Sequence, residues 1–153
     1  MKTNRYIPIL RWKAGERGAL QELTAPGRVK VTPLIIIGAA QYGDTKPPRE
    51  KPLKRQPKSP PPPAAEEFAN QVTRAWGDDP IFIDASALPS ASTTVHHLDN
   101  IAAAGRVAAL KLIPATTLKV PVDYQAAVKR MAAIDKRGVA LRIDLTEAST
   151  AAT

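Results

Sequence analysis

The stretch Gly77-Asp78-Asp79-Pro80-Ile81-Phe82-Ile83-Asp84 decides how the rest of the chain is read. A glycine, two acids and a proline end any helix before it. The short β-branched and aromatic run that follows, Pro80–Asp84, reads as a strand closing on a carboxylate. Working outward, four more short apolar runs read the same way: Tyr6–Lys13, Val31–Ile37, Ala108–Ile113 and Val139–Asp144. Val31–Ile37 is apolar almost throughout, as a strand covered on both faces should be.

Helical stretches fill the gaps. Glu16–Leu23 carries Ala19, Leu20 and Leu23 as a stripe and stops at Pro26-Gly27. Ala64–Trp76 would bury Phe68, Val72 and Trp76. Thr94–Ala104 has Thr93 or Thr94 as its cap and Gly105 as its stop. Val122–Lys136 leaves through Lys136-Arg137-Gly138, basic residues followed by a glycine cap.

Strands alternating with helices predict a parallel sheet, because parallel neighbours need a long crossover between them. The fold expected is α/β: five parallel strands forming a partial, TIM-barrel-like half-barrel. The 153 residues fall short of the roughly 250 of an eightfold barrel. One domain is expected over 1–147, with a Pro/Lys-rich insertion at 43–63 and a tail at 148–153. The outer edges of the first and last strands would be open, which invites self-association or completion by further βα units. An open sheet of different strand order is the alternative.

The net charge is +8, but Lys46, Arg49, Lys51, Lys54, Arg55 and Lys58 face only Glu50 inside the proline-rich insertion. Most of the basicity therefore belongs to that loop and not to a folded face. Its Lys54, Pro57 and Pro60 match a proline-motif ligand pattern that a charged linker also produces by composition. The chain has no cysteine, which excludes disulfides and thiolate chemistry. No apolar run approaches the roughly 20 residues of a membrane span, and no secretory h-region precedes the first strand, so the expected location is the cytoplasm. No glycine-rich phosphate loop or dinucleotide fingerprint occurs, and no cofactor or metal is expected. His96 and His97 are adjacent and diverge on a helix, so surface positions or satisfied partners are expected. Ser86 lacks the glycines of a nucleophile elbow.

Side chains alternate along a strand, so parity sorts them by face. The aliphatic sets Ile81/Ile83 and Val139/Leu141/Ile143 belong beneath helices. Phe82 and Asp84, and Ala140, Arg142 and Asp144, then point to the inner face. The same parity adds Arg11 with Lys13, and Lys111 with Ile113. The candidate ligand-binding set is Arg11, Lys13, Asp84, Lys111, Arg142 and Asp144, expected near the C-terminal ends of the strands, where α/β folds bind ligands. Four cations with two carboxylates suit an anionic small molecule, with Arg142 able to grip it bidentately. Mutual pairing of strand-end charges in solvent would explain the same residues without a ligand.

Tyr6-Ile-Pro-Ile-Leu-Arg-Trp-Lys-Ala-Gly-Glu16, with Ala19-Leu20, Thr32-Pro-Leu-Ile-Ile36, Phe82-Ile-Asp-Ala-Ser86 and Val139-Ala-Leu-Arg142, resembles the bacterial and phage "beta protein" family. The resemblance covers most of the chain outside the proline-rich insertion. It implies a (β/α)-barrel more than twice this length, with the present chain as an N-terminal part, and no established reaction. It also implies a glutamate in the second strand where this chain has Ile36.

Three functions follow as expectations. The first is a phage- or mobile-element-associated accessory protein that binds an anionic ligand at the strand C-termini. The second is an enzyme for a phosphorylated or carboxylated substrate, with Asp84 as acid/base and Arg142 and Lys13 holding the anion. The third is nucleic-acid binding through the basic loop.

Overall fold

A computed structural model describes residues 5–42 and 64–143. The insertion at 43–63, Asp144 and the tail at 148–153 lie outside the described residues. The strands are β1 (Ile9–Arg11), β2 (Leu34–Ile36), β3 (Ile81–Asp84), β4 (Leu112–Thr116) and β5 (Ala140–Leu141). The helices are α1 (Ala14–Gln21), α2 (Ala25–Arg28), α3 (Ala64–Ala75), α4 (His97–Val107) and α5 (Val122–Asp135). All strand pairs are parallel, and the sheet order is β1-β2-β3-β4-β5. Each strand lies beside its successor, which sets aside a different strand order. The sheet is not closed among the described residues, and it has the arrangement of a half-barrel.

Register confirms the parity argument. Ile35 pairs with Ile83 and Ile83 with Pro114, and these side chains face the helices. Trp12, Ile35, Ile37, Ile81, Ile83 and Leu112 share one buried cluster with Leu20 of α1, Phe68 and Val72 of α3, Leu98 and Ile101 of α4, and Tyr124 and Met131 of α5. The other face carries Ile9, Leu34, Phe82 and Ile113 in one row and Arg11, Ile36 and Asp84 in the next. Leu34 and Ala115 are buried there, while Ile36, Phe82 and Ile113 are half-buried.

The fourth strand differs from its expected span. Ala108–Ile113 was to be the strand, broken at Pro114; the ladder instead runs through Pro114 to Thr116. Ala108 caps α4, and Ala109 takes a left-handed φ of 56°. The Ala109 N–H donates to Arg106 O at 3.1 Å and the Leu110 N–H to Gly105 O at 2.9 Å. That pair of bonds is a Schellman motif, built here with alanine in the place glycine usually holds. Gly105 is therefore not a stop. It lies inside α4, where a Cβ would stand 2.5 Å from Leu112 Cδ1.

Other boundaries shift for similar local reasons. Pro26-Gly27 does not merely end the first helix, because Pro26 opens the short α2 at a position where its missing N–H costs nothing. The cap of α4 is His96, not a threonine. The left-handed residue that closes α5 is Lys136, with φ 51°, and Gly138 follows at φ 82°.

Candidate functional site

Asp84 ends β3 on the inner face and is fully buried. A carboxylate there needs donors, and the chain supplies them from two directions. Ser86 gives its N–H at 3.0 Å and its hydroxyl at 2.6 Å to Oδ1. Arg142 Nη2 donates to Oδ2 at 2.9 Å. Arg142 follows β5 directly, and its own N–H donates to Thr116 O at 2.8 Å, extending the β4–β5 ladder by one bond. Its side chain is 35 % exposed, yet its Nε is buried and finds no acceptor among the described residues.

The floor beneath this pair is rigid. Tyr124 of α5 is fully buried; its hydroxyl donates to Ala115 O at 2.6 Å and accepts the Ala85 N–H at 3.1 Å. One phenol thus ties the C-terminal ends of β3 and β4 together. Burial, and next the Asp84 charge, push the Tyr124 hydroxyl far above its usual range, so it stays a donor.

The β3–α4 connection is held as firmly. His96 is buried and edge-on to Tyr124, with ring centroids 5.1 Å apart. Its Nδ1 accepts the Leu98 N–H and its Nε2–H donates to Leu88 O, each at 3.0 Å. The Asp99 carboxylate returns to the His96 N–H at 3.0 Å and is gripped by Arg130 at 2.7 and 3.0 Å. The hydrogen bond from Arg130 holds Asp99 below the usual carboxylate range. His97 is half-buried, its Nδ1 has no partner among the described residues, and burial together with the neighbouring His96 lowers its basicity.

The expected set divides. Asp84 and Arg142 meet directly. Arg11 ends β1 in the same row as Ile36 and Asp84, and Lys13 is the N-cap of α1 just beyond it. Both are exposed, and neither forms an ion pair among the described residues. Lys111 has the expected parity but the wrong end. It precedes β4, and its Nζ lies 4.0 Å from Asp78 Oδ2, at the N-terminal end of the sheet. The late start of β4 explains the displacement. Asp144 lies outside the described residues.

Sequence reading missed Tyr124, which looks like one more apolar residue of the α5 stripe. Only the need of a buried phenol for partners could have flagged it. Ser86 enters as a donor to Asp84 and not as a nucleophile. Among the described residues, no group of three or more His, Asp or Glu side chains is placed to hold a metal ion, and no helix is long and apolar enough to cross a membrane. A cleft of about 630 Å³ lies between α3 and α4, with Tyr42 and His97 on its wall.

No curated protein and no solved structure matches the chain. The family model described as Beta protein matches residues 6–153, and the chain belongs to the Beta protein family.

Proposed function

We propose that this chain is a phage- or mobile-element-associated accessory protein, working in the cytoplasm, that recognises an anionic ligand at the C-terminal end of its sheet. The observation that carries the reading is the state of Arg142. One guanidinium nitrogen is committed to Asp84, the side chain is a third exposed, and Nε–H has no acceptor among the described residues. A planar guanidinium with a free donor is completed by an oxyanion. Arg11 and Lys13 at the same end add cationic charge that no described residue neutralises.

Asp84 argues for binding over acid/base catalysis. Both its oxygens are taken by Ser86 and Arg142, and it has no exposed surface through which to meet a substrate proton. Thermal denaturation with added inorganic phosphate, sulfate or citrate tests the reading. Wild type should be stabilised in a saturable way and Arg142→Ala should not. Because Arg142→Ala also unpairs Asp84, the Arg11→Ala/Lys13→Ala double variant provides a second measure, with a weakened anion response in an otherwise intact fold. Equal shifts in wild type and both variants would reject anion recognition here.

A further inference from the structure

We propose that Ser86 is a positioning residue of the anion site: it fills one oxygen of Asp84, keeps that carboxylate from closing on the guanidinium of Arg142, and so leaves the Arg142 Nε–H for the ligand. This role rests on Arg142 being the group that meets the anion. Among the described residues three arginines donate hydrogen bonds to aspartates, and two of them do so in the same way. Arg106 donates from Nε to Asp135 Oδ1 at 2.7 Å and from Nη2 to Oδ2 at 3.2 Å. Arg130 donates from Nε to Asp99 Oδ1 at 3.0 Å and from Nη2 to Oδ2 at 2.7 Å. Each is the two-bond fork that a planar guanidinium and a carboxylate favour. Arg142 departs from it. Its Nη2 donates to Asp84 Oδ2 at 2.9 Å, while Nε, on the same edge of the group, is buried without an acceptor among the described residues.

The difference lies in the other oxygen of the carboxylate. A carboxylate oxygen offers about two lone-pair positions. Asp99 Oδ2 accepts the His96 N–H and still has a position left for Arg130. Asp84 Oδ1 accepts both the Ser86 N–H at 3.0 Å and the Ser86 hydroxyl at 2.6 Å, so nothing is left there for Arg142 Nε–H. A buried donor without a partner is unfavourable, and an acceptor brought by a ligand removes that cost. The Arg142 side chain is 35 % exposed and tied to Asp84 through one nitrogen, which lets it turn the unpaired donor to an arriving oxyanion. Without the Ser86 hydroxyl, Oδ1 would carry one donor, as Asp99 Oδ2 does apart from Arg130, and Asp84 would take the whole Arg142 edge. An anion would then find that edge occupied.

Thermal denaturation of the full chain with inorganic phosphate, together with the arginine Nε–H signals in isotope-resolved NMR, tests the role. In ligand-free wild type the Arg142 Nε–H proton should resonate upfield of those of Arg106 and Arg130, and in Ser86→Ala it should move downfield toward them. The phosphate concentration for half-maximal stabilisation should rise about tenfold in Ser86→Ala and return to the wild-type value in Ser86→Thr, which restores the hydroxyl. A purely structural effect of Ser86→Ala would lower the melting temperature and leave the Arg142 signal in place. Equal phosphate responses in wild type and Ser86→Ala, or a Ser86→Thr response no better than that of Ser86→Ala, would overturn the role of Ser86 and leave anion recognition standing. So would an Arg142 signal that Ser86→Ala does not move, or one that in ligand-free wild type already matches Arg106 and Arg130, because the chain would then supply the acceptor itself. If wild type shows no phosphate response although the signal moves, it is anion recognition at Arg142 that fails, and the role of Ser86 falls with it.

Discussion

Arg142 and Asp84 stand 58 residues apart in sequence and meet at 2.9 Å, spanning β4 to join the end of β3 to the exit of β5. The contact is asymmetric: the carboxylate is wholly buried, while the guanidinium side chain is 35 % exposed. Removing the cation therefore leaves a buried charge that, among the described residues, only Ser86 satisfies. Arg142→Ala is expected to cost about 1–3 kcal/mol in urea unfolding, below the full penalty of a completely buried pair because Arg142 is partly solvated. Asp84→Asn/Arg142→Ala should cost less than the sum of the two single variants, since it removes the stranded charge.

Tyr124 makes the second long-range tie at this end. Phenylalanine fills the same volume but leaves Ala115 O without its donor and Ala85 N–H without its acceptor, both in buried surroundings. Tyr124→Phe should destabilise the protein by about 1–3 kcal/mol while leaving circular dichroism unchanged. Amide hydrogen exchange should rise first at Ala85, the one N–H that loses its bond. Protection there equal to wild type would show that the phenol is not what orders the end of β3.

Gly105 and Ala109 show how much of the fold was legible and where legibility stopped. Alternating apolar runs revealed all five strands because burial on a parallel sheet demands them. Strand parity alone puts Arg11, Asp84 and Arg142 on one face. The end of α4 misled because its two signals were exchanged. Glycine occurs where close packing against Leu112 requires it, and alanine occurs where the backbone turns left-handed. Ala108-Ala109-Leu110 then passed for the first residues of a strand, and Lys111 was placed at the wrong end. The His96 cap was likewise hidden, since histidine is no strong N-cap by propensity and acts here only through its burial.

The exchange gives two predictions of opposite sign. Ala109→Gly keeps the Schellman bonds and relieves the left-handed strain on a Cβ, so it should stabilise by about 0.5–1 kcal/mol. Gly105→Ala gains helix propensity of about 1 kcal/mol but drives a Cβ to 2.5 Å from the buried Leu112 Cδ1. Overpacking of this kind costs about 1–3 kcal/mol, so a net loss is expected, and Leu112→Ala in the same chain should show a favourable coupling with Gly105→Ala. Additive urea midpoints for that pair would mean the contact is not what makes glycine necessary.

The pH profile of stability follows from two groups near the α4 N-terminus whose basicity is depressed in the folded state. His97 is lowered by burial and by His96, and Asp99 is lowered chiefly by its hydrogen bond from Arg130. In both cases the unfolded chain binds the proton more readily, so stability is complete above the unfolded pKa and declines as pH falls. The His97 contribution should begin to fade below about pH 6.5 and that of Asp99 below about pH 4. Urea midpoints measured from pH 8 to pH 3 should show two descending steps. His97→Gln should remove the upper step and leave the lower, while Arg130→Met should flatten the lower and leave the upper. A single step that survives both substitutions would place the acid sensitivity elsewhere in the chain.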